Sequence, residues 1–276
     1  AAKGAAASVQ QPLKVYPAPD AYLANMREGA GSHFSGNAMY KGDNRPWGAS
    51  ISFSLAKLNS KDSSSTAPEA DSVKVEIRDA QGKVVRHLSL MGQKGLNRFV
   101  WELNQDGFRM PVQPKPKQEV QPPAGAYVMA GTYSVKIMYG QQADSTSITV
   151  LNDPRKQVNA AAVTQWQQGY TEFAGMVNGI TQSTDKLRDA KERMQLADKL
   201  VEAQVTDTAA KRRYSDAKTA ASKKIDELMR KVMPGEEVQG IYEDPEQLMN
   251  KLAAVAFYLD PAFGTPNPPA AAPPAT

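Results

Sequence analysis

His33 and His87 are the only imidazoles in a chain of 276 residues that also has no cysteine. Hydrolysis by an activated serine would need one of these two histidines as its base, and no G-x-S-x-G turn is present to hold the nucleophile. The missing cysteines remove thiolate nucleophiles, disulfides and sulfur-ligated metals together. Carboxylate pairs for glycoside cleavage need only spatial proximity, and Glu102 with Asp106, next to Trp101, is the candidate pair. A small β domain rarely supplies the deep cleft such chemistry needs. Asp71, Asp79, Asp106 and Asp144 fall in expected turns and would suit calcium if gathered, but no D-x-[DN]-x-[DN]-G loop occurs and acids in turns commonly serve the turn itself. His87, beside Arg86, reads as an exposed strand residue. The residue types therefore point to a non-catalytic chain without a cofactor or metal.

The candidate contact residues are aromatic. Tyr40 and Trp47, in GNAMYKGDNRPWGAS, could stack on a sugar ring or fill the gap between this module and a neighbour, and packing is the favoured reading.

Charge narrows the partner further. The net charge is +4, but residues 154–233 hold 15 Lys/Arg against 10 Asp/Glu, so the excess is confined to one region. There, bases and acids interleave, as in Lys186, Arg188, Asp189, Lys191, Glu192 and Arg193. Such a pattern reads as a solvated helix face rather than a clustered nucleic-acid site. No apolar run reaches the roughly 18 to 20 residues of a membrane helix, and no secretory signal is present. The sequence begins at Ala1, so a processed chain or a piece of a longer one is expected.

The elements that would position these residues change character near Asp153. In Pro122–Arg155, Tyr133, Val135, Ile137 and Tyr139 alternate with polar or flexible residues, then Ile148 and Val150 do the same, with a turn expected over Gly140 to Asp144. Upstream, residues 1–14 read as a flexible leader and 15–47 as an irregular aromatic lead-in. Strands are expected at Gly48–Leu55, around Val73, Val75 and Ile77, and over Lys83–Leu90 after an Asp79–Gly82 turn. A further strand in Gly95–Gly107 would put Phe99, Trp101 and Leu103 on one face. Pro111, Pro114, Pro116, Pro122 and Pro123 predict an extended segment at the edge of this domain.

Downstream of Asp153-Pro154 the period becomes helical. Val163, Trp166, Tyr170, Phe173, Val177, Ile180, Leu187 and Met194 predict one long helix from about Asn159 to Val201–Gln204. Thr206 or Asp207 would cap a second, with Tyr214, Ala217, Ala221, Ile225, Leu228 and Val232 as its stripe, lying antiparallel to the first. Asp244-Pro245-Glu246-Gln247 predicts the start of a third, with Leu248, Leu252, Val255 and Leu259 inward. The Pro/Ala-rich residues 261–276 read as disordered.

The expected fold is mixed β then α: an immunoglobulin-like β-sandwich over residues 48–153, an antiparallel helical hairpin with a short third helix over 154–260, a lead-in over 1–47, and a tail over 261–276. Three segments, GSHFSGNAMYKGDNRPWGASISFSL, VKVEIRDAQGKVVRHLSLMGQKGLNRFVWEL and AGTYSVKIMYG…TSITVLNDPR, together resemble the C-terminal region of secreted bacterial sortilin-like proteins. In that family, propellers of BNR (sialidase-type) repeats precede an Ig-like module of the flagellar hook-capping type and a helical hairpin. The resemblance runs over about residues 30–260, including the closing PEQLMNKLAAVAFYLDPAFGTPNPP.

The resemblance implies a secreted or cell-surface scaffold that docks to a protein partner, a β-propeller in the same or another chain. The alternative is a glycan-binding module. No nucleic acid and no membrane span are expected. The Asp-box S-x-D-x-G-x-[TS]-W is absent from this sequence, so no sialidase-like activity and no catalytic residue carries over.

Overall fold

A computed structural model describes residues 11–24, 46–58, 71–116, 120–233 and 247–259, and within it the chain is β-rich first and helical afterwards. The expectations for His33, Tyr40, Asp244 and the 261–276 tail lie outside the described residues. The described residues divide into two compact units, one formed by those within 11–106 and 124–165, the other by those within 107–123 and 166–259.

In the first unit, β1 (Leu13–Val15), β3 (Ala49–Leu55) and β6 (Gly95–Trp101) form one antiparallel sheet in the order β1-β3-β6. A second sheet has the order β2-β10-β9-β4-β5, from β2 (Ala21–Leu23), β4 (Ser72–Arg78), β5 (Val84–Met91), β9 (Gly131–Tyr139) and β10 (Gln142–Asn152). A short pair, β7 (Asn104–Asp106) and β8 (Ala124–Tyr127), completes the strands among the described residues. Alternation dictates the core: Ile51, Phe53 and Leu55 from one sheet and Val73, Val75, Ile77, Val135, Ile137, Ile148 and Val150 from the other are buried in one cluster. At about 1.5 to 3 kcal/mol per large buried side chain, this shared core is the main stabilising term of the unit.

Two turns set the register. Gly140, at φ +58°, closes a two-residue loop, so Tyr139 already pairs with Gln142 and the strand resumes before Asp144, earlier than the five-residue turn expected. Asp79 caps its own turn, its Oδ1 accepting from the amides of Gln81 and Lys83, and Gly82 takes φ +81°. Gly48, at φ +115°, lies so close to β6 that a Cβ there would come within 2.3 Å of the Trp101 carbonyl oxygen.

Residues 11–24 depart from the expectation of leader and irregular lead-in. Leu13, Val15, Ala21 and Leu23 are buried, β1 pairs with β3, and β2 runs parallel to β10. Three-residue strands are too short to display a period. Leu103 departs as well: β6 ends at Trp101, and Leu103 turns the chain at φ +57° while remaining fully buried. A left-handed leucine costs on the order of 1–2 kcal/mol, which burial of its side chain offsets. The corner is pinned by the Trp101 indole N–H on the Asn104 carbonyl at 2.8 Å and by the Val128 amide on the Leu103 carbonyl at 2.8 Å. Trp101 meets Tyr133 edge-on, with ring centroids 5.4 Å apart, and the Tyr133 hydroxyl donates to the Met129 carbonyl at 2.7 Å. Burial, with Asp79 nearby, pushes the Tyr133 phenol up to about 12.

At the end of β10, Asp153 accepts from the Arg155 amide at 3.0 Å and from its guanidinium at 2.9 and 2.8 Å. Those Arg155 hydrogen bonds hold its carboxyl down at about 2.

The helices are α1 (Ala160–Gln204), α2 (Thr208–Val232) and α3 (Leu248–Leu259). Asn159 caps α1 by accepting from the amides of Ala161 and Ala162, and Asp207 caps α2 through the Ala209 amide. The stripe of α3 is rotated from the expected one: Met249, Leu252 and Ala256 are buried, while Val255 is 44% exposed. Among the described residues no helix is long and apolar enough to cross a membrane.

Candidate interaction surface

The second unit is built around a proline-rich segment clasped by a helix. The proline-bearing stretch from Arg109 to Ala124 was expected at the edge of the β domain, yet its described residues up to Pro123 belong with the helices. Prolines withhold amide donors and such a segment has no strand to pair with, so its carbonyls need outside partners. Arg188 of α1 provides them, its guanidinium donating to the carbonyls of Pro111 at 2.7 Å, Gln113 at 3.2 Å and Val112 at 3.3 Å. Thr181 donates its hydroxyl to the Arg109 carbonyl at 2.9 Å. Arg109 in turn pairs with Asp185, which also accepts from Arg188 at 3.2 Å. Phe108 packs on Phe173 edge-on at 5.5 Å and on Tyr170 at 6.0 Å.

The burial along α1 follows from this clasp. Trp166, Tyr170, Phe173 and Val177 form the apolar half of its buried stripe, and Thr181, Thr184 and Asp185 continue it as polar residues. An apolar-only template passes over these last three. Their fitness for burial is visible only once Arg109, the Arg188 guanidinium and the carbonyls of the proline segment are in place.

Beyond Asp185, α1 and α2 run antiparallel and are joined by polar contacts. Asp198 accepts from the Tyr214 hydroxyl at 2.9 Å and from Lys218 at 2.5 Å, and Lys191 pairs with Asp226 at 2.5 Å. Lys218 holds the Asp198 carboxyl below its usual range, as Lys191 does for Asp226, and Asp198 raises the Lys218 ammonium. No residue of α2 is fully buried. Its Tyr214, Ile225 and Val232 are half-buried, and Leu228 is 49% exposed. Exposed ion pairs give about 0–1 kcal/mol each, so this pair of helices is weakly self-sufficient compared with the β core.

Near the clasp, Ile180, Leu187, Leu228, Val232 and Leu248 from all three helices line an open groove of about 540 Å³, bordered by Lys186 and Lys231. Gln247 bonds the Met233 carbonyl at 2.7 Å, where the sequence placed it in the cap of α3. An open apolar groove with cationic borders can take an apolar side chain or a helix edge with acidic flanks.

The described residues singled out from sequence as candidates all lie in the first unit. Trp47 is half-buried against the β core, its indole N–H donating to the Glu102 carbonyl at 3.2 Å and its ring meeting Tyr127 edge-on at 5.6 Å. The Glu102 carboxylate accepts from the Asn104 side-chain Nδ2 at 3.4 Å. Asp106 binds Arg86 at 3.1 Å, the His87 amide at 3.0 Å and the His87 ring at 2.5 Å. Asp71 accepts from the Tyr139 hydroxyl, and Asp144 accepts from the Val15 amide at 2.7 Å and lies 3.6 Å from Lys14. Burial raises the Asp144 carboxyl, but the Val15 and Ser145 amides and Lys14 outweigh it and the net direction is down. The four aspartates are thus each occupied separately, Asp106 within β7 and Asp144 within β10 rather than in the turns expected, and among the described residues no three metal-ligating side chains converge.

Comparison with models of known protein families finds no match to this chain. Comparison with curated proteins finds none either.

Proposed function

We propose that this chain is a non-catalytic scaffold or docking module of a secreted or cell-surface protein, in which an immunoglobulin-like sandwich carries a helical docking element for a protein partner of the β-propeller type. The observation that carries this reading is the groove of Ile180, Leu187, Leu228, Val232 and Leu248, flanked by a helix without a buried residue. A helix left half-dry on one face and open on the other suits completion by a partner. The immunoglobulin-like element is supported by two features of that fold class, a tryptophan buried in the core and a tyrosine that bonds the backbone four residues upstream, here Trp101 and Tyr133 to Met129. The resemblance to the region after the propellers of sortilin-like proteins supplies the partner class.

The test is a calorimetric titration of the chain with a purified propeller from that protein class. Binding is expected for the wild type and is expected to weaken at least tenfold in Leu228→Glu. Leu228 is 49% exposed, so the variant should melt as the wild type does. Equal binding by both proteins, or none by either, would refute the reading.

A further inference from the structure

The outer face of α2 carries a charge pattern that docking at the groove does not use. Over Thr208–Val232 there are 8 Lys/Arg and 3 Asp/Glu. Lys218, on the side facing α1, pairs with Asp198 there. Arg212, Arg213, Lys223, Lys224, Arg230 and Lys231 are all exposed, and among the described residues none of the six takes part in an ion pair.

Helical geometry gathers these six. At about 100° per residue, Arg212, Lys223 and Arg230 return to within roughly 20° of one azimuth. Arg213, Lys224 and Lys231 do the same roughly 100° further round, so two parallel basic rails run for about 27 Å along the helix. The only acids between the rails are Asp216 and Glu227, which leaves an excess of four positive charges on the face. The half-buried side, with Tyr214, Ile225 and Met229, is turned away from it.

We propose that this face is a docking surface for a planar array of anions, the headgroups of an anionic lipid bilayer. Two features favour a plane over a nucleic acid. The face carries no aromatic ring on which a base could stack, because Tyr214 is engaged with Asp198. Its two rails of long, flexible side chains can reach a flat surface simultaneously, with each basic residue contributing about a fivefold factor in affinity. The proposal is independent of a partner in the groove, with which it shares only Lys231 at the rim.

Co-sedimentation with phosphatidylcholine vesicles containing 30% phosphatidylglycerol tests it. The intact chain is expected to bind these vesicles at low salt, to release as salt rises, and to ignore pure phosphatidylcholine. Lys223→Gln/Lys224→Gln should weaken binding about 25-fold and Arg212→Gln/Arg213→Gln by a similar factor, with circular-dichroism melting curves showing the helices intact. Absence of binding to the anionic vesicles would overturn the proposal. So would binding that both double variants retain, or capture by duplex DNA or an acidic polypeptide with none by vesicles.

Discussion

Replacing Arg188 by alanine removes the donor that holds the proline-rich segment to α1. Its guanidinium makes a 2.7 Å bond to the Pro111 carbonyl, longer ones to Gln113 and Val112, and one to Asp185, from a side chain 23% exposed. A well-formed hydrogen bond from a charged donor contributes about 1.5–3 kcal/mol, and the three longer ones contribute less in this partly wet setting. Asp185 keeps Arg109 as a partner, so the variant leaves no uncompensated buried carboxylate. The expected local loss is therefore about 3 kcal/mol, or roughly a hundredfold in the opening equilibrium of the segment. Hydrogen exchange reads this directly at the Gln113 amide, which bonds the Met110 carbonyl at 3.0 Å. That amide should exchange roughly a hundredfold faster in Arg188→Ala, and Arg188→Lys should restore little, because one ammonium cannot span three carbonyls. Amides in the shared β core, such as that of Ile137, should be unchanged. Less than a threefold change at Gln113, or an equal change at Ile137, would refute the clasp.

Tyr133 gives a pH prediction. Its phenol, raised to about 12, stabilises the fold fully below the unfolded value near 10, and this contribution is lost as pH climbs through 12. The wild type should lose on the order of 2 kcal/mol across that window, while Tyr133→Phe, less stable at neutral pH for want of the bond to Met129, should show a smaller loss over the same range. Absorbance titration and denaturation at each pH measure both, and a Tyr133 phenol titrating near 10 would contradict the burial argument. Trp47→Ala should lower stability by about 1–2 kcal/mol, through loss of its bond to Glu102 and its edge contact with Tyr127. An unchanged denaturation midpoint, together with lost retention on a polysaccharide column, would instead make Trp47 a sugar platform.

The long elements were legible because their periods are long. Nine residues of β9 and the Ile148–Val150 end of β10 alternate clearly, and apolar spacings of three and four from Val163 onward mark the start of α1 near Asn159. What escaped has physical causes in each case. β1 and β2 are three residues each and are fixed by strands far along the chain, Leu13 by Leu55 and Ala21 by Val150. Leu103 looked like the next inward residue of β6, whereas the chain corners there and the leucine stays buried by adopting a left-handed backbone. The proline segment was correctly read as unable to enter a ladder. Its destination depended on Arg109, Thr181, Asp185 and Arg188, polar residues that a pattern of apolar positions assigns to solvent.

The candidate surface was only half visible. Ile180, Leu187, Leu228, Val232 and Leu248 all stood in expected helical stripes, which assigned them inward positions. The sequence shows no sign that α2 has too little partner surface to bury its own stripe, since that depends on how far α1 and the proline segment reach.

The central claim is that the helical unit, not the aromatic corner at Trp47, receives the protein partner. Hydrogen exchange on the complex with a propeller of the sortilin-like class tests it most directly. The account predicts new protection confined to residues 180–187, 224–232 and 248–252, with the amides around Trp47 and Tyr127 unchanged. Protection at Trp47 and Tyr127 with none along α2 would contradict it.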